Sequence, residues 1–178
     1  MSASPESSLL VGEIGDVLWV RVEGRGSFQN SPDLKAVATR AAEVAKHQLV
    51  IDLRDCPLMD STFMGTLTSI ALGTRGKPAG RMLVINPNER NLALLENLGL
   101  DQIFEVDKSG DALPDLRLAV DSEMLARAQR TTLDKAQHAQ HVLQAHEALA
   151  GANSANCDRF RDVVTFLKSG AKGNNGPA

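Results

Sequence analysis

The chain has 178 residues, 43% hydrophobic and 23% charged, with a formal net charge of -3. That suits one domain plus an appendage, since compact domains cluster at about 100 to 150 residues. No apolar run reaches the roughly 20 residues of a membrane span, no concentrated basic surface suggests nucleic acid, and 3% aromatic content leaves little on which bases or sugars could stack.

Residues 1–7 are small, polar and broken by Pro5, and read as a disordered tail without the basic and apolar regions of a signal peptide. Cys56 and Cys157 are isolated thiols, as expected in a reducing cytoplasm. "LLVGEIGDVLWVRVEG" predicts two strands around a Gly15-Asp16 turn, with Val17 and Trp19 on one face and Leu18, Val20 and Val22 on the other. "SPDLKAVATRAAEVAKH" predicts an amphipathic helix with Ser31 as N-cap and Pro32 at the first helical position. Gln48–Leu53 is a run of branched apolar residues, expected to be a central strand buried on both faces.

A helix is expected from Ser61 to the Gly- and Pro-containing "GTRGKPAG", then a strand at "RMLVIN". "PNERNLALLENLG" follows as a helix stopped by Gly99, and "DQIFEV" as a last strand. The βα alternation implies an α/β fold with a mixed, mainly parallel sheet covered by helices. Beyond "DKSGDALPDL" no strand signal remains: "EMLARAQRTTLDKAQHAQHVLQAHEALAG" predicts one long helix or two. "NSANCDRFRDVVTFLKSG" predicts another, beginning near Asn156 or Asp158 and ending at Gly170. The expected organisation is a tail at 1–7, a domain at 8–117, a helical extension at 118–170 and a flexible end at 171–178.

The stretch "LVIDLRDCPLMDSTFMGTL" puts Asp60, Ser61 and Thr62 at the mouth of a helix. Short oxygen-bearing side chains there routinely cap the free N–H groups of the first turn. The same helix end, with its partial positive charge, also stabilises a phosphate carried by a hydroxyl. The stretch resembles the signature of STAS domains, the family of anti-sigma-factor antagonists. It has an apolar strand ending near Asp52, then the turn Met59-Asp60-Ser61-Thr62, then the helix. The resemblance runs from about Ser8 to Leu116.

It implies a STAS-like fold and a cytoplasmic binding protein rather than an enzyme, acting in partner switching and transcription regulation. An ATP-dependent serine kinase or anti-sigma factor would bind the unphosphorylated domain and be released when Ser61, or Thr62 as the second hydroxyl position, is phosphorylated. A phosphatase would reset the site. The implied docking face comprises Arg25, Ser27, Phe28, Gln29, Met59, Asp60, Phe63 and Met64, with Asp60 orienting the acceptor. Two departures stand out: Phe63-Met64-Gly65 replaces a common Gly-Leu-Gly, and Ser27 stands where an acidic residue is common. Both favour the alternative of a STAS scaffold that is never phosphorylated, a subunit of a larger signalling or transport complex.

The Gly-rich "GRGSFQNS" lacks a Walker Lys and dinucleotide spacing, so a tight turn beside Ser61 is expected there. His138, His141 and His146 share a predicted helix without a carboxylate or Cys at matching spacing, so helix packing or solvent exposure is expected and no metal or cofactor. No Gly-x-Ser-x-Gly elbow supports a Ser61 hydrolase. The apolar stripes of the C-terminal helices must be covered, either by the open face of the sheet or by self-association as a homodimer.

Overall fold

The structure, a computed structural model, describes residues 7–44, 48–77, 81–120 and 124–172. Most of both expected tails lies outside these residues.

Strands β1 (Ser8–Ile14) and β2 (Val17–Glu23) form an antiparallel hairpin. Its turn is made by Gly15 at φ +59°, a left-handed conformation that glycine adopts without a Cβ penalty. Helix α1 (Ser31–Val44), strand β3 (Gln48–Asp52), helix α2 (Ser61–Thr74), strand β4 (Met82–Ile85) and helix α3 (Glu89–Asn97) follow. The last strands are β5 (Glu105–Val106) and, after helix α4 (Pro114–Ala119), β6 (Ala126–Arg127). The six strands lie in the order β5-β4-β3-β2-β1-β6. The β2-β3, β3-β4 and β4-β5 pairs are parallel and both pairs of β1 are antiparallel. The fold is therefore the expected mixed, mainly parallel α/β sheet with β3 inside it.

Alternation along the strands divides the core. Leu18, Val20, Leu49, Ile51, Met82 and Val84 face Leu34 and Val37 of α1, Phe63 and Leu67 of α2 and Leu95 of α3. Val17, Trp19, Val50, Leu83 and Ile85 face the other way, toward Val120, Leu125 and the partly buried Leu113 and Leu116.

Two strand expectations are corrected. "DQIFEV" contributes only two strand residues: after Gly99 at φ +65° the chain makes a 3-10 turn at Leu100–Gln102, which delivers Leu100 and Phe104 to the core. The segment read as strandless contains β6, which pairs with the edge of β1 at only two positions, too short for an alternation signal. The expected boundary at 117/118 cuts through α4, and Val120 and Leu125 complete the second core cluster. From residue 135 the chain adds a layer of two helices packed on α2, with Leu149 reaching the main core.

That layer is a helical hairpin. Helix α5 (Lys135–Ala152) starts at a capping box between Asp134 and Gln137. Helix α6 (Ser154–Lys172) runs past Gly170, and its first turn is held by Asn153, which accepts from the Asn156 N–H at 2.9 Å. The start lies before Asn156 because Asn153 serves both helices, closing α5 and opening α6. The hairpin does not cover the sheet, as one expectation had it: α5 packs on α2 and α6 packs on α5.

Candidate functional site

The site begins at the carboxyl end of β3. Asp52 is fully buried and accepts from Trp19 Nε1 at 3.2 Å, Arg21 Nε at 3.0 Å, Arg54 N–H at 3.1 Å and Asn86 Nδ2 at 2.8 Å. Burial by itself would raise the Asp52 carboxyl, but the hydrogen bonds from Asn86, the Arg54 N–H and Arg21, with the charge of Arg54, hold it below the usual carboxylate range. This cluster ties β2, β3 and the residue after β4 together, which fixes where the 53–60 loop departs.

The loop returns along the chain before α1. Gly26 and Met59 form an isolated parallel bridge. Gly26 N–H donates to the Leu58 carbonyl at 3.0 Å, and Asp60 N–H donates to the Gly26 carbonyl at 2.9 Å. A Cβ on Gly26 would stand 2.9 Å from the Phe63 ring, so glycine is needed for this close approach. The expected tight turn beside Ser61 is thus present.

Asp60 is the N-cap of α2: one carboxylate oxygen accepts from Phe63 N–H at 2.9 Å, the other from Phe28 N–H at 3.0 Å. Asp60 therefore does the capping and anchors the neighbouring loop, while Ser61, the first helical residue, keeps its hydroxyl for something else. That hydroxyl lies 3.1 Å from His146 Nε2 of α5. His146 Nδ1 lies 2.8 Å from the Val142 carbonyl, which can only accept, so Nδ1 carries the proton. That leaves Nε2 as the ring atom that meets the Ser61 hydroxyl.

The same helix closes over α1. His141 Nε2 is 2.8 Å from Ser31 Oγ and 3.4 Å from Thr66 Oγ1. Burial, with the nearby charges of Lys35 and His138, lowers His141 to about 4. Lys35 Nζ donates to Gln144 Oε1 at 2.7 Å, and the rings of Phe28 and His138 meet edge-on at 5.6 Å. The closest approach is at Gly65, where a Cβ would stand 2.2 Å from the Ala145 carbonyl oxygen. The one glycine that fits the expected motif is thus the point where α5 crosses α2.

Of the expected site residues, Arg25, Phe28 and Gln29 are exposed, and Asp60 and Ser61 are half-buried. Ser27, Met59, Thr62, Phe63 and Met64 are buried. In this arrangement their side chains face inward: α2 has the sheet on one side and α5 on the other, so most of its first two turns is enclosed. Sequence reasoning did not find the pairing of His146 with Ser61 or of His141 with Ser31. The separations are 85 and 110 residues, and no local spacing reports such contacts. Among the described residues no group of three or more His, Cys, Asp or Glu could hold a metal. No helix among them is long and apolar enough to cross a membrane.

The STAS domain family matches residues 8–112. The chain belongs to the STAS family. An anti-sigma factor antagonist from Mycobacterium paratuberculosis is 26% identical, with a TM-score of 0.50, over 67% of this chain and 98% of its own. A Thermotoga maritima protein provisionally named as an anti-sigma factor antagonist has the same fold at 20% identity and a TM-score of 0.50, over 60% of this chain and 92% of its own. No curated protein matches the chain significantly in sequence. Both neighbours are almost used up on about two thirds of this chain, and the family match ends before α5. The helical hairpin lies outside the residues that the family matches.

Proposed function

We propose that this STAS protein is a cytoplasmic regulatory binding protein of the anti-sigma-factor-antagonist type, switched by phosphorylation of Ser61. The observation that carries the reading is the division of labour at the mouth of α2. Asp60 takes the capping role, which leaves the Ser61 hydroxyl at a helix N-terminus beside the exposed Arg25, Phe28 and Gln29. In the reaction proposed, Ser61 Oγ attacks the γ-phosphorus of ATP held by a partner serine kinase. The bond to the β–γ bridging oxygen breaks, ADP leaves and the Ser61 proton passes to a base of the kinase. The dianion added beside Asp60 would repel an acidic or apolar partner surface and end the complex, until a phosphatase removes it. Thr62, buried at 6% exposure, is the lesser acceptor.

Binding rather than hydrolysis is proposed because His146 Nδ1 is committed to the Val142 carbonyl and not to an orienting carboxylate. Self-association is proposed through the outer face of α6, where Phe166 is 75% and Val163 41% exposed. The second reading, an unphosphorylated scaffold, is favoured by one observation: Ser61 already has a partner in His146.

The experiment is a pull-down from native lysate with wild type and Ser61→Asp as baits, followed by mass spectrometry of the captured proteins and of the bait peptide carrying Ser61. An ATP-binding serine kinase bound to wild type and lost with Ser61→Asp, with phosphate on Ser61, is the expected result. The same partners on both baits and no phosphate on Ser61 or Thr62 would leave the scaffold.

A further inference from the structure

The surface proposed to receive the kinase adjoins the surface that α5 occupies, and Ser61 and Phe28 belong to both. Polar contacts join α5 to the domain at Ser61 with His146, Ser31 and Thr66 with His141, Lys35 with Gln144, and the edge-on pair of Phe28 and His138, beside the apolar packing of the buried Leu143, Ala145 and Leu149. The hairpin hangs from the domain by Ala128–Asp134, which has no regular secondary structure. Asp33 of α1 holds this linker twice, accepting from Thr131 N–H at 2.6 Å and pairing with Arg130 at 3.6 Å, and Ala128 N–H donates to the Leu9 carbonyl at 2.8 Å. The far end of α5 is pinned more firmly. Leu149 is fully buried in the main core, and Asn153 and Asn156 both donate to the Leu98 carbonyl, at 2.9 and 2.8 Å.

A phosphate on Ser61 does not fit under this arrangement. The imidazole stands 3.1 Å from the oxygen that would carry phosphorus. Esterifying that oxygen removes its proton, and the phosphoryl oxygens would crowd the ring. They would also lie close to the carboxylate of Asp60, the N-cap of the same helix, a like-charge arrangement that costs stability.

We infer that the α5–α6 hairpin is an intramolecular cover on the Ser61 site: closed, it withholds the Ser61 hydroxyl and the α1/α2 face, and a phosphate on Ser61 holds it open. This rests on the reading of Ser61 as phosphoacceptor. Because closing and phosphorylation exclude one another, each opposes the other by the same factor. Whatever stabilises the closed hairpin therefore slows modification of Ser61 and competes with a docking partner.

The test compares three full-length chains: unmodified, carrying phosphoserine incorporated at position 61 during translation, and Ser61→Ala. Hydrogen–deuterium exchange is read on α5 and, as internal reference, on β3. The expected result is exchange at least about tenfold faster in α5 of the phosphoserine chain, with β3 unchanged and Ser61→Ala, which loses only the His146 contact, faster by no more than about fivefold. Unchanged or slower exchange in α5 of the phosphoserine chain would overturn the cover, the slower case meaning that His146 grips the phosphate. A β3 that loosens together with α5 would overturn it too, because the hairpin would then be part of the core's cooperative unit. Since the phosphate is installed synthetically, the result stands apart from whether a cellular kinase ever modifies Ser61, which the pull-down decides. Incubating the unmodified chain and Gly65→Ala with native lysate and ATP completes the test. Faster labelling of Ser61 in Gly65→Ala supports the cover and equal, measurable labelling refutes it, whereas no labelling of either chain counts against Ser61 as phosphoacceptor and leaves the exchange result to decide the cover.

Discussion

Gly65→Ala separates the hairpin from the STAS domain without altering Ser61. The added Cβ would lie 2.2 Å from the Ala145 carbonyl oxygen, 2.6 Å from its carbon and 3.0 Å from the Ala145 Cα, all backbone atoms, so no side-chain rotation relieves the clash. Helix α5 must retreat by about 1 Å, which on a steep 6–12 potential forfeits a quarter to a half of the dispersion energy between the facing atoms. Overpacking of this kind costs about 1 to 3 kcal/mol. The Ser61 to His146 contact, at 3.1 Å, would stretch beyond hydrogen-bond length and cost about 1 kcal/mol more.

Closure is therefore weakened by about 2 to 4 kcal/mol, or about 30- to 1,000-fold in the closed-to-open ratio. The same substitution strengthens α2 itself by about 1 kcal/mol, since alanine is the better helix former. The two effects have opposite signs in two parts of one chain, and native-state hydrogen exchange reads them separately. Amides of α5 should exchange faster by a factor in that range, while α2 and β3 keep or gain protection. An α5 that exchanges within about twofold of wild type would refute the packing argument, as would a loss shared equally by α5 and β3.

Acid should open the hairpin. The His141 ring, facing Ser31 and Lys35 of α1, Thr66 of α2 and His138 of its own helix, is lowered to about 4 in the closed state, whereas an exposed ring titrates near 6.5. Above pH 6.5 both states are neutral and closure keeps its full stability. Between 6.5 and 4 only the open state takes up the proton, so closure loses about 2 kcal/mol by pH 5; exchange of α5 measured across this range should accelerate in wild type and lose most of that slope in His141→Gln. Asp52→Asn should destabilise the whole domain by about 3 to 5 kcal/mol, because Arg21 would keep a buried charge without its counter-ion. Urea unfolding measures this, and a loss under about 1 kcal/mol would show that Arg21 finds water. Asp60→Ala should cost about 1 to 2 kcal/mol as a lost N-cap and loosen the Phe28 loop with it, visible as increased proteolysis near residues 25–30; an unchanged loop would mean that the Gly26–Met59 bridge suffices to hold it.

The sequence by itself determined the elements whose signals are local. The alternation of Val17 and Trp19 against Leu18, Val20 and Val22 divides the two faces as expected, because a strand's side chains must alternate. The helix boundary at Ser61 and the loop before it were legible because Asp, Ser and Gly act on backbone groups within a few residues. Short elements escaped: β6 has two residues and α4 has six, fewer than one clear period of either pattern. What only the tertiary structure decided is the state of the Ser61 hydroxyl. Asp60 and Ser61 are equally good caps in sequence, and only the fold shows Asp60 bonded to Phe63 and Phe28 while Ser61 turns to His146. Ser61 meets His146, and Gly65 meets Ala145, because the hairpin folds back over α2. That return depends on the Leu98 carbonyl receiving Asn153 and Asn156, a contact across more than fifty residues that no local periodicity records.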